Sequence, residues 1–458
     1  MSDILLYIIY TVLLSTRVIL PSFNNWAVIV MIAINIYIYI NDKKHSDFAL
    51  CSSFLMPGEI FPIVNFLVGL LTRMKRKESV YVFKTRKLSA LLFIVIMLSS
   101  IINAVVNGAV PNLIFYLFYL GIVIFSIRLS NQTMSADSIV KCMKAYVIIE
   151  FILTLLIIYK HRMITPGDEF SGSMSSAHWL GNWLIVTLIL LSFHDSHINR
   201  IKLSLSAIKS NLIYIILVII MIYLADAKSL LIALAVGTMG YLIFEHKKSY
   251  KYSFLLFVVT FCCALFAVFI ILYLEPVKMF VCERSSLFGK YLYSEGWNGK
   301  FEYIRGTLLE ELPVLHLLVG FGLGQYGSRI ANIFAYNIMW RADNGINNFV
   351  SSFFNSRCIP QYAKYINFYN ADFVSQIGWR SAVMSYPFNS VTAMIAETGI
   401  IGVIFFAYIF NNYIKASECK ILGYYFVVAC IFDLYFDNFP CVAIIILIIL
   451  NTKIKDKR

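Results

Sequence analysis

Gly322-Leu323-Gly324-Gln325-Tyr326-Gly327, inside the stretch LLVGFGLGQYGSRI (317–330), has the G-x-G-x-x-G spacing of a dinucleotide-binding turn. Read that way, it makes the chain an α/β protein. The fingerprint requires a strand before it, a helix after it and an acidic residue about 20 positions on for the ribose. The nearest downstream acid is Asp343, and Pro313 and His316 interrupt the apolar run upstream. The other reading makes the glycines a tight turn, or a place where backbone comes close to something else.

Composition separates the two. Of 458 residues, 60% are hydrophobic, 16% aromatic and 14% charged, with a mean hydropathy of +0.77. A soluble chain carries about 25% charged residues, so this composition defines a polytopic membrane protein. Runs able to cross ~30 Å of hydrocarbon lie at 4–20, 26–40, 88–106, 112–127, 139–159, 179–194, 211–225, 227–244, 253–274, 390–411, 420–436 and 438–452. The apolar run 48–71 is broken by Pro57, Gly58, Glu59 and Pro62, which marks it as re-entrant or interfacial and not as a span. The expected fold is all-α, with about 12 transmembrane helices. It divides into an N-terminal bundle (1–274), a long periplasmic loop (275–389) before the last three spans, and the C-terminal helices and cytoplasmic tail (390–458). No basic n-region or small-x-small exit marks the first run as a cleavable signal.

Basic residues orient it. With both termini inside, the inner loops hold 24 of the 38 Lys and Arg, densest from Arg73 to Lys87. The short outer loops hold four (Arg17, Lys160, Arg162 and Lys228), and ten lie in 275–389, whose length exempts it from the count. The net charge of +13 therefore follows from topology, and no nucleic-acid partner is needed to explain it. This orientation puts Gly322, Gly324 and Gly327 on the side without a nucleotide pool, which excludes the dinucleotide reading.

The nine cysteines show neither a C-x-x-C pair nor metal spacing, and no metal or cofactor is expected. Cys282 and Cys358 share the outer loop and are available to pair in an oxidising compartment. That loop carries six arginines (Arg284, Arg305, Arg329, Arg341, Arg357 and Arg380) against four lysines, whereas Lys dominates elsewhere. A guanidinium grips phosphate bidentately, so the set suits phosphate or pyrophosphate recognition; pairing with loop acids such as Glu283 and Glu302 is the alternative. Fourteen aromatics and seven asparagines between Phe334 and Phe388 suit sugar rings, or else a compact loop domain at the membrane interface. Other outer polar patches are His161 to Trp179, which includes His178, and Ala225 to Ser229, which includes Asp226 and Lys228. Charges at that depth point to function or to pairing within the bundle. No nucleophile elbow, zinc-protease motif or phosphate loop occurs.

Four stretches resemble the O-antigen ligase and polymerase family of bacterial surface polysaccharide assembly, whose fold is GT-C-like. They are Glu169–Met174, Ala227–Leu231, Gly299-Lys300-Phe301-Glu302-Tyr303 followed by Pro313 and Gly320–Tyr326, and Tyr386-Pro387-Phe388-Asn389 followed by Glu397-Thr398-Gly399-Ile400-Ile401-Gly402. The third resembles the family's Gly-Arg…Pro…Gly-x-Gly-x-Gly-x-Phe run, and the fourth its Tyr-Pro-His-Asn…Glu-x-Gly-x-x-Gly signature. Phe388 stands where the family often has histidine, and Lys300 where it often has arginine.

The resemblance implies an inner-membrane enzyme that polymerises undecaprenyl-pyrophosphate-linked oligosaccharide units on the periplasmic face. Membrane lipid, a chain-length regulator and a flippase would be its further partners. A ligase acting on lipid A core, and a flippase of the same lipid-linked sugars, are the alternatives. Clean spans with polarity gathered in one outer loop favour an enzyme over a transport path. The expected catalytic residues are Arg284, Lys300, Arg305 and Lys228 on the pyrophosphate, with His178 or a loop carboxylate as base. Gly322, Gly324, Arg380, Asn389 and Glu397 are the expected substrate-binding residues. Asn389 or Ser390 is placed to N-cap the following span. Glu397 falls two turns deeper, where an acid needs partners, either for function or as a structural bond within the bundle. Gly399 and Gly402 leave room for a helix to approach.

Overall fold

A computed structural model describes residues 2–56, 60–75, 87–133, 136–162, 170–174, 176–195, 200–201, 205–225, 228–245, 312–328, 330–331, 389–416, 419–432, 435–436 and 441. These residues are almost wholly helical. In chain order the helices are α1 Asp3–Ile19, α2 Asn24–Asn41, α3 Ser46–Cys51, α4 Ile60–Lys75, α5 Lys87–Val106, α6 Val110–Thr133 and α7 Ala136–His161. They continue with α8 Ala177–Phe193, α9 Leu205–Ser210, α10 Leu212–Leu224, α11 Lys228–Glu245, α12 Val314–Val319, α13 Ser390–Ala416 and α14 Lys420–Phe432. The exception is a two-residue antiparallel ladder, β1 His194–Asp195 with β2 Arg200–Ile201, which the sequence does not announce. Among the described residues, four helical stretches are long and apolar enough to cross a membrane: 24–41, 89–106, 137–161 and 390–409. The expected span at 253–274 lies outside the described residues.

The packing has the polarity of a protein dissolved in lipid. On α5 the outward residues are Ile101, Ile102 and Val105, while Ser100 and Ala104 face inward and are fully buried. Helices suit such a setting because each satisfies its own backbone polar groups. The inward polar side chains find each other. Asn35 Nδ2 donates to Ser52 Oγ (2.9 Å) and to Asn65 Oδ1 (2.8 Å), and Asn65 Nδ2 donates to Ser53 Oγ (2.6 Å). Tyr10 donates its hydroxyl to Asn35 Oδ1, which ties α1 into the same network.

The interrupted run around 48–71 has a definite path. Lys44 Nζ meets Asp3 at the start of α1 (2.7 Å), and eleven residues later the Leu55 carbonyl accepts from Arg17 Nη1 at its end (3.2 Å). α1 is 17 residues, about 25 Å at 1.5 Å per residue. The chain therefore travels the length of α1 as a short helix and a 3-10 turn (Ser52–Leu55), and α4 brings it back beside α2. Pro57 to Glu59, where the sequence breaks, lie outside the described residues.

Among the described helices, α11 and α14 pack against each other most extensively. A Cβ on Gly237 would sit 2.7 Å from Tyr425 Cα, so only glycine admits this crossing. α13 kinks at Gly399, whose φ of +66° breaks the helical path.

Candidate functional site: a glycine loop held on a buried carboxylate

The opening hexapeptide is preceded by the six-residue helix α12, not by a strand, so the dinucleotide geometry is absent. Residues 320–328 are all buried, and they are seated among α5, α6 and α13. Gly320, Gly322 and Gly324 have φ of +77°, +102° and +75°, values an L side chain rarely adopts. A Cβ on Gly320 would overlap the Glu397 carbonyl, and one on Gly399 would overlap that of Leu318. Two glycines, one on each strand of the contact, bring backbone against backbone. Gly402 plays no such part: the nearest atoms to its missing Cβ belong to Thr398 of its own helix.

Glu397 organises the loop. Its carboxylate accepts three backbone N–H bonds: Gly324 on Oε2 (2.8 Å), and Tyr326 and Ser328 on Oε1 (3.0 Å each). Its carbonyl accepts Gly322 N–H (2.8 Å), while the Ala396 carbonyl takes Phe321 N–H (2.8 Å). These carbonyls are released because the kink at Gly399 ends the regular helical path there. Hydrogen bonds to a charged acceptor contribute about 1.5–3 kcal/mol each. A loop with no regular structure of its own is thereby fixed about 11 Å inside α13.

The opposite wall comes from α5, α6 and the turn between them. Ser99 Oγ donates to the Val319 carbonyl (3.1 Å), and Ser100 Oγ accepts Leu323 N–H (3.2 Å). Asn107 Nδ2 donates to Gln325 Oε1 (3.1 Å), and Asn112 Nδ2 to the Gly324 carbonyl (2.7 Å). Three rings stack along the loop: His316 on Phe321 at 3.9 Å between centroids, and Phe321 on Tyr326 at 5.5 Å. Burial lowers the His316 ring below the ordinary histidine value. A small cavity beside the loop is lined by Tyr116, Ser328, Ser390, Met394, Glu397 and Phe436.

Of the residues expected at the site, Gly322, Gly324, Asn389 and Glu397 share this region. Asn389 N-caps α13, its Oδ1 accepting Thr392 N–H at 2.9 Å, and Ser390 Oγ instead accepts Phe436 N–H (2.9 Å). His178 lies in the first turn of α8, a helix packed on α7, α10 and α11. Lys228 opens α11. Arg284, Lys300, Arg305 and Arg380 lie outside the described residues, as do Cys282 and Cys358.

Sequence reading overlooked a second arrangement of the same kind. Glu150, wholly buried on α7, accepts Ser173 N–H (3.0 Å) and the Ser173 hydroxyl, and Gly172 (φ +54°) has no room for a Cβ against its carboxylate. The signal was present: a lone acid in the middle of the apolar run 139–159 has to be partnered. Its partner loop is the Gly-centred stretch of the first resembling motif. Among the described residues, both lone carboxylates inside long apolar helices are spent on glycine loops. No protein-family model matches the chain, and no curated protein matches it.

Proposed function

We propose that this chain is an O-antigen polymerase: a multi-pass inner-membrane glycosyltransferase that joins undecaprenyl-pyrophosphate-linked repeat units on the periplasmic face. The reading includes twelve spans, both termini in the cytoplasm, and 275–389 as the outer segment from which the loop at 320–328 dips into the bundle. The observation that supports it best is the clasp of Glu397 on Gly322–Ser328. Gly320–Tyr326 and Glu397–Gly399, the described parts of the two more specific resembling stretches, lie far apart in sequence and are bonded to each other in one buried structure, and an enzyme of this family would place substrate groups over it.

Chemically, the leaving group is a pyrophosphate that gains negative charge as the glycosidic bond breaks. Fixed cations stabilise that charge, and Arg284, Lys300, Arg305 and Lys228 are the proposed ones. Removing one is expected to cost about 10²–10³ in rate, by analogy with loss of an oxyanion donor. Alanine at each should give lipopolysaccharide dominated by single repeats at unchanged protein level, read on a silver-stained gel. Lys300→Arg should retain long chains, and Arg305→Lys should lose them, because a point charge does not replace a bidentate fork. Wild-type modal length in all four alanine variants would make these residues structural.

A further inference from the structure

We infer that the small cavity beside Glu397 is a binding site for one monovalent alkali-metal cation, which balances the charge of that carboxylate and stiffens the glycine loop. Glu397 is 1% exposed and lies inside α13, where a charge has to be paired or to meet a metal ion. Three N–H groups of the loop and the Ser328 hydroxyl give it hydrogen bonds but no positive charge. Among the described residues no basic side chain pairs with it. Arg329, next to Ser328, lies outside them. The other carboxylate clasped on a glycine loop is differently placed: Glu150 has the guanidinium of Arg17 as a charged neighbour.

The cavity has the size and the wall for such an ion. Its free volume of about 10 Å³ is room for one water-sized sphere. The polar residues that line it are Glu397, Tyr116, Ser328, Ser390 and Thr398, and none of its lining residues is basic. Thr398 gives its proton to the Met394 carbonyl (2.6 Å), so its oxygen has only lone pairs left to offer. Ser328 gives its proton to Glu397 and accepts Ala331 N–H (3.2 Å), which leaves a lone pair on that oxygen too. Hard cations are held by oxygen donors of this kind. A charge of +1 cancels the carboxylate. A divalent ion would leave a buried excess of positive charge, and an anion would meet lone pairs.

Glu397 and Thr398 belong to α13, Tyr116 to α6 and Ser328 to the end of the glycine loop. A bound ion therefore ties the loop to two of the helices that seat it, whatever the chain catalyses.

The test follows the thermal midpoint of the purified full chain, read by tryptophan fluorescence in choline chloride buffer. Sodium or potassium chloride replaces choline chloride at constant ionic strength; choline is too large for the cavity. The wild type should gain about 3 °C at a hundredfold excess of the ion over half-saturation, and comparison of the two salts shows which ion fits better. A midpoint identical in sodium, potassium and choline would overturn the inference, because the carboxylate then needs no metal ion. Glu397→Gln removes the charge and should show no response to either ion. Since that substitution also disturbs the loop, Thr398→Val decides. It keeps the shape of the side chain and the Glu397 clasp but removes one oxygen of the wall, and it should need at least tenfold more of the ion for the same gain. If Thr398→Val does not accumulate, Ser390→Ala is read in the same way. Variants of the wall that respond like the wild type would contradict the site.

Discussion

Replacing Glu397 by alanine would strand three backbone N–H groups in a buried loop, at about 1–3 kcal/mol for each unsatisfied donor. Glutamine is the sharper substitution. It preserves volume, but its amide nitrogen would face an N–H donor where Oε2 now accepts Gly324 or where Oε1 accepts Tyr326 and Ser328. We expect Glu397→Gln to lower the thermal midpoint of the purified protein and Glu397→Ala to lower it further. Serine at Asn389 should be tolerated as an alternative cap. A Glu397→Ala protein as stable as the wild type would mean that the loop holds without its carboxylate. At this scale the sequence was legible in part. Asn389 as a cap and the glycines as backbone devices could be read from residue type and position. That Glu397 holds the glycine loop could not, because the two are 69 to 73 residues apart and nothing local pairs them.

Helices were legible where hydrophobic length alone decides. The runs at 88–106, 139–159, 179–194, 211–225 and 227–244 correspond closely to α5, α7, α8, α10 and α11. Two features of the elements were not. The ascent of 43–55 alongside α1 uses a short helix and a 3-10 turn, too brief to leave a span-length signal, and it is stabilised by Asn35 and Asn65 contacts visible only in three dimensions. The descent of 320–328 into the bundle follows from bonds to α5, α6 and α13, not from its own hydropathy. The contact of α11 with α14 offers a test at this scale. Gly237 lies against the Tyr425 backbone, whereas a Cβ at Gly240 would meet only Tyr424 Cδ1 at an ordinary 3.4 Å. Gly237→Leu should therefore force the helices apart and sharply reduce protein recovered from membranes, and Gly240→Ala should leave it near the wild-type level. Equal recovery of the two would contradict the close crossing.

At the scale of the whole molecule, the proposed twelve-span topology divides the basic residues 24 to 4 between its inner loops and its short outer loops. Phosphatase fused after Arg162 should be active, and fused after Lys251 inactive; the reverse would invert the topology and with it the side on which the glycine loop opens. The proposed polymerisation of lipid-linked repeat units is read from the lipopolysaccharide of a strain lacking the gene, resolved on a denaturing gel. A polymerase predicts lipid A core carrying a single repeat unit, with the ladder of longer chains gone and restored by the intact gene. An unchanged ladder, or core carrying no repeat unit at all, would contradict it.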